Sequence, residues 1–249
     1  MPRSYKSFAR LHVTADLRPQ TSLTLGHEQT SYLVSVLRMK AGDSVILFNG
    51  RDGAWLARIT DPHRKGVTLE LVVQTAHQTP PSDLWFGFAP LKTGRLDYLV
   101  QKATEMGAGV IRPVITRYTQ VSRLKPEKLA ANITEAAEQC EVLTVPRLDE
   151  EIALADLLAG WRDSQGLRRL IFCDEAAPSS SPAEQLGWLE GLPVGLLIGP
   201  EGGFSDEERT LLLEQPFVIP ISLGPRILRA DTAGVAALAL VQAIIGDWR

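Results

Sequence analysis

Two apolar runs near the carboxyl end, Val194–Ile198 and Phe217–Ser222, each stop at a Gly-Pro bend, and each bend leads into a segment of helical character. Strand, bend and helix repeated in that order restrict the chain to an α/β layer structure, because successive parallel strands need a crossover helix between them. The same alternation recurs upstream. Strand candidates there are Leu84–Ala89, Val110–Ile115 and Arg169–Asp174. Helix candidates are Leu96–Met106, Pro126–Glu141, Ile152–Trp161, Asp206–Glu214 and Thr232–Ile245, with Pro178–Pro182 as a loop. A parallel sheet within residues 84–249 is therefore expected, with ligands at the carboxyl ends of its strands.

The first bend reads Leu197-Ile198-Gly199-Pro200-Glu201-Gly202-Gly203-Phe204. The second reads Ser222-Leu223-Gly224-Pro225-Arg226-Ile227-Leu228-Arg229, with Asp231-Thr232 close behind. Glycine allows positive φ and close backbone approach, and proline stiffens the loop around it. Two such bends side by side would make a pocket for a flat, polar small molecule gripped mainly by backbone groups. Neither is a dinucleotide fingerprint or a phosphate-cradling P-loop, since neither carries the required spacing. Taken alone, the first bend could equally be a turn before a helix, because Ser205 and Glu208 make a capping box.

Residues 1–75 have a different rhythm. Phe8–Val13 alternates like a strand, and Ser44–Phe48, Ala54–Ile59 and Val67–Val73 follow as short strands, with Asn49-Gly50 and Asp52-Gly53 as turn signals. Glu28–Lys40 places Leu33, Val34, Val36 and Leu37 at near-helical spacing. A small β-barrel is expected here, followed by a polar linker, 76–83, containing Pro80-Pro81. Charge divides along the chain. Residues 1–130 carry 18 Lys/Arg against 10 Asp/Glu, and residues 131–249 carry 8 against 19. A basic half of this kind suits a polyanionic partner.

Two cysteines, Cys140 and Cys173, are too few for a disulfide or zinc framework. No apolar stretch near Met1 resembles a signal peptide, and the nearly uncharged run Thr232–Gly246 is shorter than a membrane span. A cytoplasmic protein without membrane contact is expected. Thr232–Ile245 is apolar or small on nearly every side, so the helix should be buried all round, in a monomer core or against a second subunit.

Together the two bends resemble those of the knotted S-adenosylmethionine-dependent methyltransferases, most closely the 16S ribosomal RNA (uracil-N3)-methyltransferase family. Further matches are Val36–Asp43, similar to the entry of that family's PUA-like barrel, then Lys92-x-Gly-Arg95-Leu-Asp97, Gln101–Glu105, Arg117 and Glu135-Ala-Ala-Glu138-Gln139. Departures are Ser31-Tyr32 where a histidine is usual, no arginine soon after Gln139, and Asp231 where glutamate is common.

The resemblance implies a PUA-like RNA-recognition β-barrel domain (1–75) and a knotted α/β methyltransferase domain (84–249) whose 223–229 loop is threaded through the chain. It implies S-adenosylmethionine held by Leu197, Ile198, Gly199, Pro200, Glu201, Gly202, Gly203, Ser222, Leu223, Gly224, Arg226, Ile227, Leu228 and Thr232. Catalysis falls to Arg226 and Arg229, with Glu138, Glu201 or Asp231 as proton acceptor. RNA contacts fall to Arg10, Arg38, Lys40, Lys92, Arg95, Lys102 and Arg117. The expected partners are 16S rRNA, within the assembled small ribosomal subunit, and a second copy of the chain through the last helix, with no metal. The target base must be unpaired, because N3 lies on its Watson–Crick edge. The alternatives are a ribose 2′-O or tRNA methyltransferase of the same superfamily, or a non-catalytic RNA-binding assembly factor.

Overall fold

A computed structural model of the protein describes residues 8–92, 94–121, 123–177 and 181–248. The chain divides into two compact units. One is built from residues up to Pro81 together with Ala137–Val145, and the other from Ser82–Ala136 and residues from Pro146 onward.

The first unit holds β1 (Arg10–His12), β2 (Ser22–Thr24), α1 (His27–Ser31), one π-helical turn (Tyr32–Val36), β3 (Ser44–Phe48), β4 (Ala54–Asp61) and β5 (Thr68–Ala76). Its sheet runs β1-β3-β4-β5-β2. β1 and β3 are parallel and the remaining pairs antiparallel. The unbroken apolar run of β3 has a simple cause. Val45 and Leu47 enter a core with Leu11, Trp55, Ile59 and Leu69, while Ile46 and Phe48 on the opposite face pack with Ala54, Ala137 and Leu143. A strand covered on both faces gains nothing from alternation. The Glu28–Lys40 pattern becomes α1 plus the π turn, whose wider turn breaks the helical register. Leu33 is buried, whereas Val36 and Leu37 reach the surface.

The second unit adds β6 (Trp85–Phe88), α2 (Arg95–Glu105), β7 (Val110–Ile115), α3 (Pro126–Gln139), β8 (Arg147–Leu148), β9 (Ile152–Ala153), α4 (Leu154–Ala159), α5 (Trp161–Gln165), β10 (Arg169–Cys173), α6 (Pro182–Gly187), β11 (Val194–Ile198), α7 (Asp206–Leu213), β12 (Val218–Ile221) and α8 (Ala230–Ile244). The last residues of α3 belong to the first unit. The strand order is β12-β10-β11-β6-β7-β8, all parallel, with β9 beside the end of β7. Trp161 anchors the core, edge-on to Trp85 (5.1 Å between centroids) and stacked on Phe217 (5.7 Å). Such aromatic pairs stabilise by about 0.5–1.5 kcal/mol beyond the area they bury.

Three expectations change. Ile152–Trp161 is not one helix: Ile152 and Ala153 extend the sheet beside Val114 and Ile115, and Gly160, a poor helix former, divides α4 from α5. Of the Pro178–Pro182 loop, residues 178–180 lie outside the described residues, and Pro182 opens α6, where its missing N–H costs nothing. The last helix is not buried all round by its own chain. Gly234, Ala237, Leu238, Val241 and Gln242 face inward against α2, α6 and β11, but Val235, Ala236, Ala239 and Leu240 keep part of their surface. Neither Cys140 nor Cys173 is part of a disulfide. No helix among the described residues is long and apolar enough to cross a membrane.

Candidate active site

β11, β10 and β12 run parallel, so the loops that follow them emerge from one edge of the sheet. The two Gly-Pro bends were expected side by side. They share that edge, with β10 between the two strands that lead into them. Two strand spacings put the ends of β11 and β12 about 10 Å apart.

Each bend is shaped by its own residues. In the first, Gly203 N donates to Pro200 O (3.0 Å) and Gly203 sits at φ +71. Phe204 turns back onto Phe172 of β10, edge to face at 5.1 Å. A Cβ on Gly199 would lie 2.6 Å from the Phe204 ring, so this glycine is required by internal packing. Gly224 in the second bend has φ +101, and a Cβ there would meet nothing within 4 Å. Its requirement is conformational. Buried Ser222 accepts from Gly224 N through its Oγ (3.3 Å), which ties the bend to its strand.

The capping box is present: Ser205 N donates to Glu208 Oε2 (3.0 Å) and Glu208 N to Ser205 Oγ (3.3 Å). Glu208 Oε1 also accepts from Arg117 N (2.7 Å), which links α7 to the segment after β7. Asp174, at the end of β10, is 5% exposed and receives Arg209 Nε (3.0 Å) and Nη2 (2.9 Å). That pairing holds the Arg209 guanidinium above its usual pKa. The sequence reading missed Asp174 and Arg209. Its signal was available, since Cys173-Asp174-Glu175 ends an apolar strand at the edge that carries both bends.

Arg95, at the start of α2, stands near a carboxylate of the first bend and one in the first turn of α8, just after the second. Its Nη1 is 3.8 Å from Glu201 Oε1 and its Nε 3.9 Å from Asp231 Oδ2. Asp231 Oδ1 accepts from Thr232 N (2.8 Å). Arg226 and Arg229 are exposed in the second bend, as are Lys92 and Arg117 elsewhere in this unit. Lys102 pairs with Glu105 (2.7 Å) and lies over the Tyr98 ring (5.5 Å).

The first unit holds the remaining candidates. Arg38, at φ +56 after the π turn, and Lys40 are both exposed. Arg10 does not fit the role of a surface phosphate contact. It is 9% exposed, its guanidinium lies 4.9 Å from the Phe48 ring centre, and Nη2 donates to Val142 O (3.1 Å). Burial lowers its pKa, against the opposing pull of Glu141, Cys140 and Glu138. Its place on β1, facing the returning 137–145 segment, takes it inward. Glu138 Oε1 accepts from His12 N (2.9 Å), so this carboxylate serves the same packing.

The residues fit an adenosine-bearing cofactor on chemical grounds. Both bends end parallel strands, Gly224 has open space beside it, and Ile227 presents an apolar side chain that is 87% exposed. Backbone polar groups beside exposed apolar surface are what a nucleoside site uses. Among the described residues no group of three or more His, Cys, Asp or Glu could hold a metal ion.

An RNA methyltransferase domain model matches residues 78–242, and an RNA methyltransferase PUA domain model matches residues 25–72. The chain belongs to this RNA methyltransferase family. It is 30% identical over 237 residues to the ribosomal RNA small subunit methyltransferase E of Rickettsia conorii, covering 94% of this chain and 95% of that one. The enzyme of the same name from Synechocystis sp. is also 30% identical, over 95% of this methyltransferase and 78% of its relative. Among solved structures, the Legionella pneumophila protein Lpg2936, assigned as a methyltransferase and solved with bound S-adenosylmethionine, superposes with a TM-score of 0.80 at 31% identity, covering 95% of this chain and 97% of that one. The Neisseria gonorrhoeae ribosomal RNA small subunit methyltransferase E shares the fold with a TM-score of 0.82 at 24% identity, covering 97% of this chain and all of the other. The parallel α/β unit and the PUA-like unit of this methyltransferase are those of its family.

Proposed function

We propose that this methyltransferase transfers the methyl group of S-adenosylmethionine to N3 of a uridine in small-subunit ribosomal RNA. The observation that carries the reading is the pair of glycine bends on one edge of a parallel sheet, in a chain aligned almost end to end with ribosomal RNA small subunit methyltransferases. When bound, S-adenosylmethionine supplies a methyl group already activated by its sulfonium. The protein has to hold the nucleophile in line, and orientation of this kind contributes roughly 7–11 kcal/mol.

In this reading the backbone from Leu197 to Gly203 and from Ser222 to Leu228, with Thr232, holds the cofactor. Arg226 and Arg229 stabilise negative charge on a uracil carbonyl as N3 loses its proton, a gain realised mainly in the transition state. Glu201 or Asp231 accepts that proton. Glu138, which holds the His12 N–H, supports the first unit instead. Arg38, Lys40, Lys92, Lys102 and Arg117 meet RNA phosphates, contacts that position rather than specify. The first unit presents the RNA and the second performs transfer, with the 223–229 loop threaded as in knotted methyltransferases. The half-exposed face of α8 pairs with a second copy, and the substrate is the assembled small subunit in the cytoplasm.

Mass mapping of small-subunit rRNA from a strain lacking this protein tests the reading. A base methyl lost from uridine, restored by the wild-type chain and not by Arg226→Ala, is the expected result. Loss of a ribose methyl, or unchanged rRNA, overturns it.

A further inference from the structure

Arg95 is reached through Gly94 at φ +93 and opens α2, whose first turn also contains Asp97. Asp97 is engaged by Lys128 Nζ (2.5 Å) and Asn132 Nδ2 (2.8 Å), so Arg95 is left to face the loops. One of its nitrogens approaches Glu201 of the first bend, and another approaches Asp231 just after the second. Two carboxylates and one guanidinium leave a net negative charge. Without Arg95 the bends would bring two unshielded carboxylates toward each other. The side chains are 39% (Arg95), 25% (Glu201) and 18% (Asp231) exposed, so solvent screens each pair only in part.

We propose that Arg95 is a positioning residue, a clamp that sets the spacing of the two bends, rather than an RNA phosphate contact. The inference rests on the reading that the bends hold the methyl donor. Guanidinium is suited to the task because its planar fork offers separate nitrogens to two carboxylates, whereas an ammonium is a single point charge. A phosphate contact would accept either cation.

Calorimetry with S-adenosylmethionine, in the absence of RNA, separates the roles. Arg95→Ala is expected to weaken donor binding about fivefold, the upper range for partly exposed ion pairs. Arg95→Lys should recover less than half of that loss. In a Glu201→Gln, Asp231→Asn background, Arg95→Ala should have little further effect, since the clamp is already gone. Melting temperatures of all variants should stay within about 2 °C of the wild type, less than about 1 kcal/mol in a chain of this size. Three results would overturn the clamp: unchanged donor affinity in Arg95→Ala with weakened RNA binding, full rescue by lysine, or additive losses in the triple variant. Wild-type protein that binds no S-adenosylmethionine would instead overturn the reading of the bends themselves.

Discussion

Gly224→Ala isolates what the second bend contributes. Gly224 holds φ +101, and a Cβ built there meets no heavy atom within 4 Å, so contact adds no penalty. The whole cost is backbone strain, about 1–3 kcal/mol for a residue with a side chain held in a sparsely populated region. That cost has two outlets. If the bend keeps its shape, folding stability falls, and each kcal/mol lowers Tm by about 2–4 °C in a chain of this size. If the bend relaxes, stability is preserved and the strain returns when the donor binds, weakening affinity by about 5- to 150-fold at 1.4 kcal/mol per tenfold. The two losses must sum to the strain. Scanning calorimetry and donor titration on one preparation measure both. Gly203→Ala is the control, because φ +71 lies closer to the left-handed minimum and its Cβ would rest 3.7 Å from Glu175 Oε1, an ordinary contact. A summed loss for Gly224→Ala below about 0.5 kcal/mol, under the lower bound for such strain, would refute the argument.

Ser205→Ala removes the cap of α7 and should cost about 1 kcal/mol, read as a drop in Tm with no change in m-value. His12 is held below the ordinary imidazole pKa of 6.5, first by burial and then by Arg51. The unfolded chain therefore takes up the proton first as pH falls. Stability from this group is complete above 6.5 and declines below it, so Tm measured between about pH 7.5 and 5 should fall less steeply in His12→Asn. On the proposed pairing of α8 with a second copy, Leu240→Glu on its half-exposed face should shift sedimentation toward a monomer while leaving the far-UV spectrum intact.

The second unit was the more legible. β11 is an unbroken buried apolar run between Pro193 and Gly199, and the expected strands Val110–Ile115 and Val194–Ile198 coincide with β7 and β11. Ser205 and Glu208 were legible because a capping box is local, three residues apart. What escaped depends on partners distant in sequence. β2 has one apolar residue among three and exists because Leu23 pairs beside Leu69 of β5. Arg10 looked like a surface cation, yet its side chain is covered by Phe48 and by Val142, 132 positions away. Nothing periodic in Ala137–Val145 announces that it completes the core over Ile46 and Phe48. The Arg95–Glu201–Asp231 grouping joins three separate segments, and only the chain path brings them together.

The strand order also gives Asp174 a weight that its sequence neighbourhood hides. Because β10 lies between β11 and β12, Asp174, which follows β10, sits at the edge from which both bends emerge. Arg209→Ala would leave that carboxylate buried with Ala176 N (3.1 Å) as a remaining donor. Breaking a fully buried pair costs about 3–5 kcal/mol; with Arg209 36% exposed, about 2 kcal/mol is the appropriate figure. Tm should then fall by about 4–8 °C. If the loss comes from an uncompensated charge, adding Asp174→Asn to Arg209→Ala must restore stability, since an amide is far cheaper to bury than an ion. If it comes from lost packing of the arginine stem, the second substitution will leave Tm unchanged or lower it further. That outcome would remove Asp174 as the charged centre of the edge and reduce the pair to a surface contact.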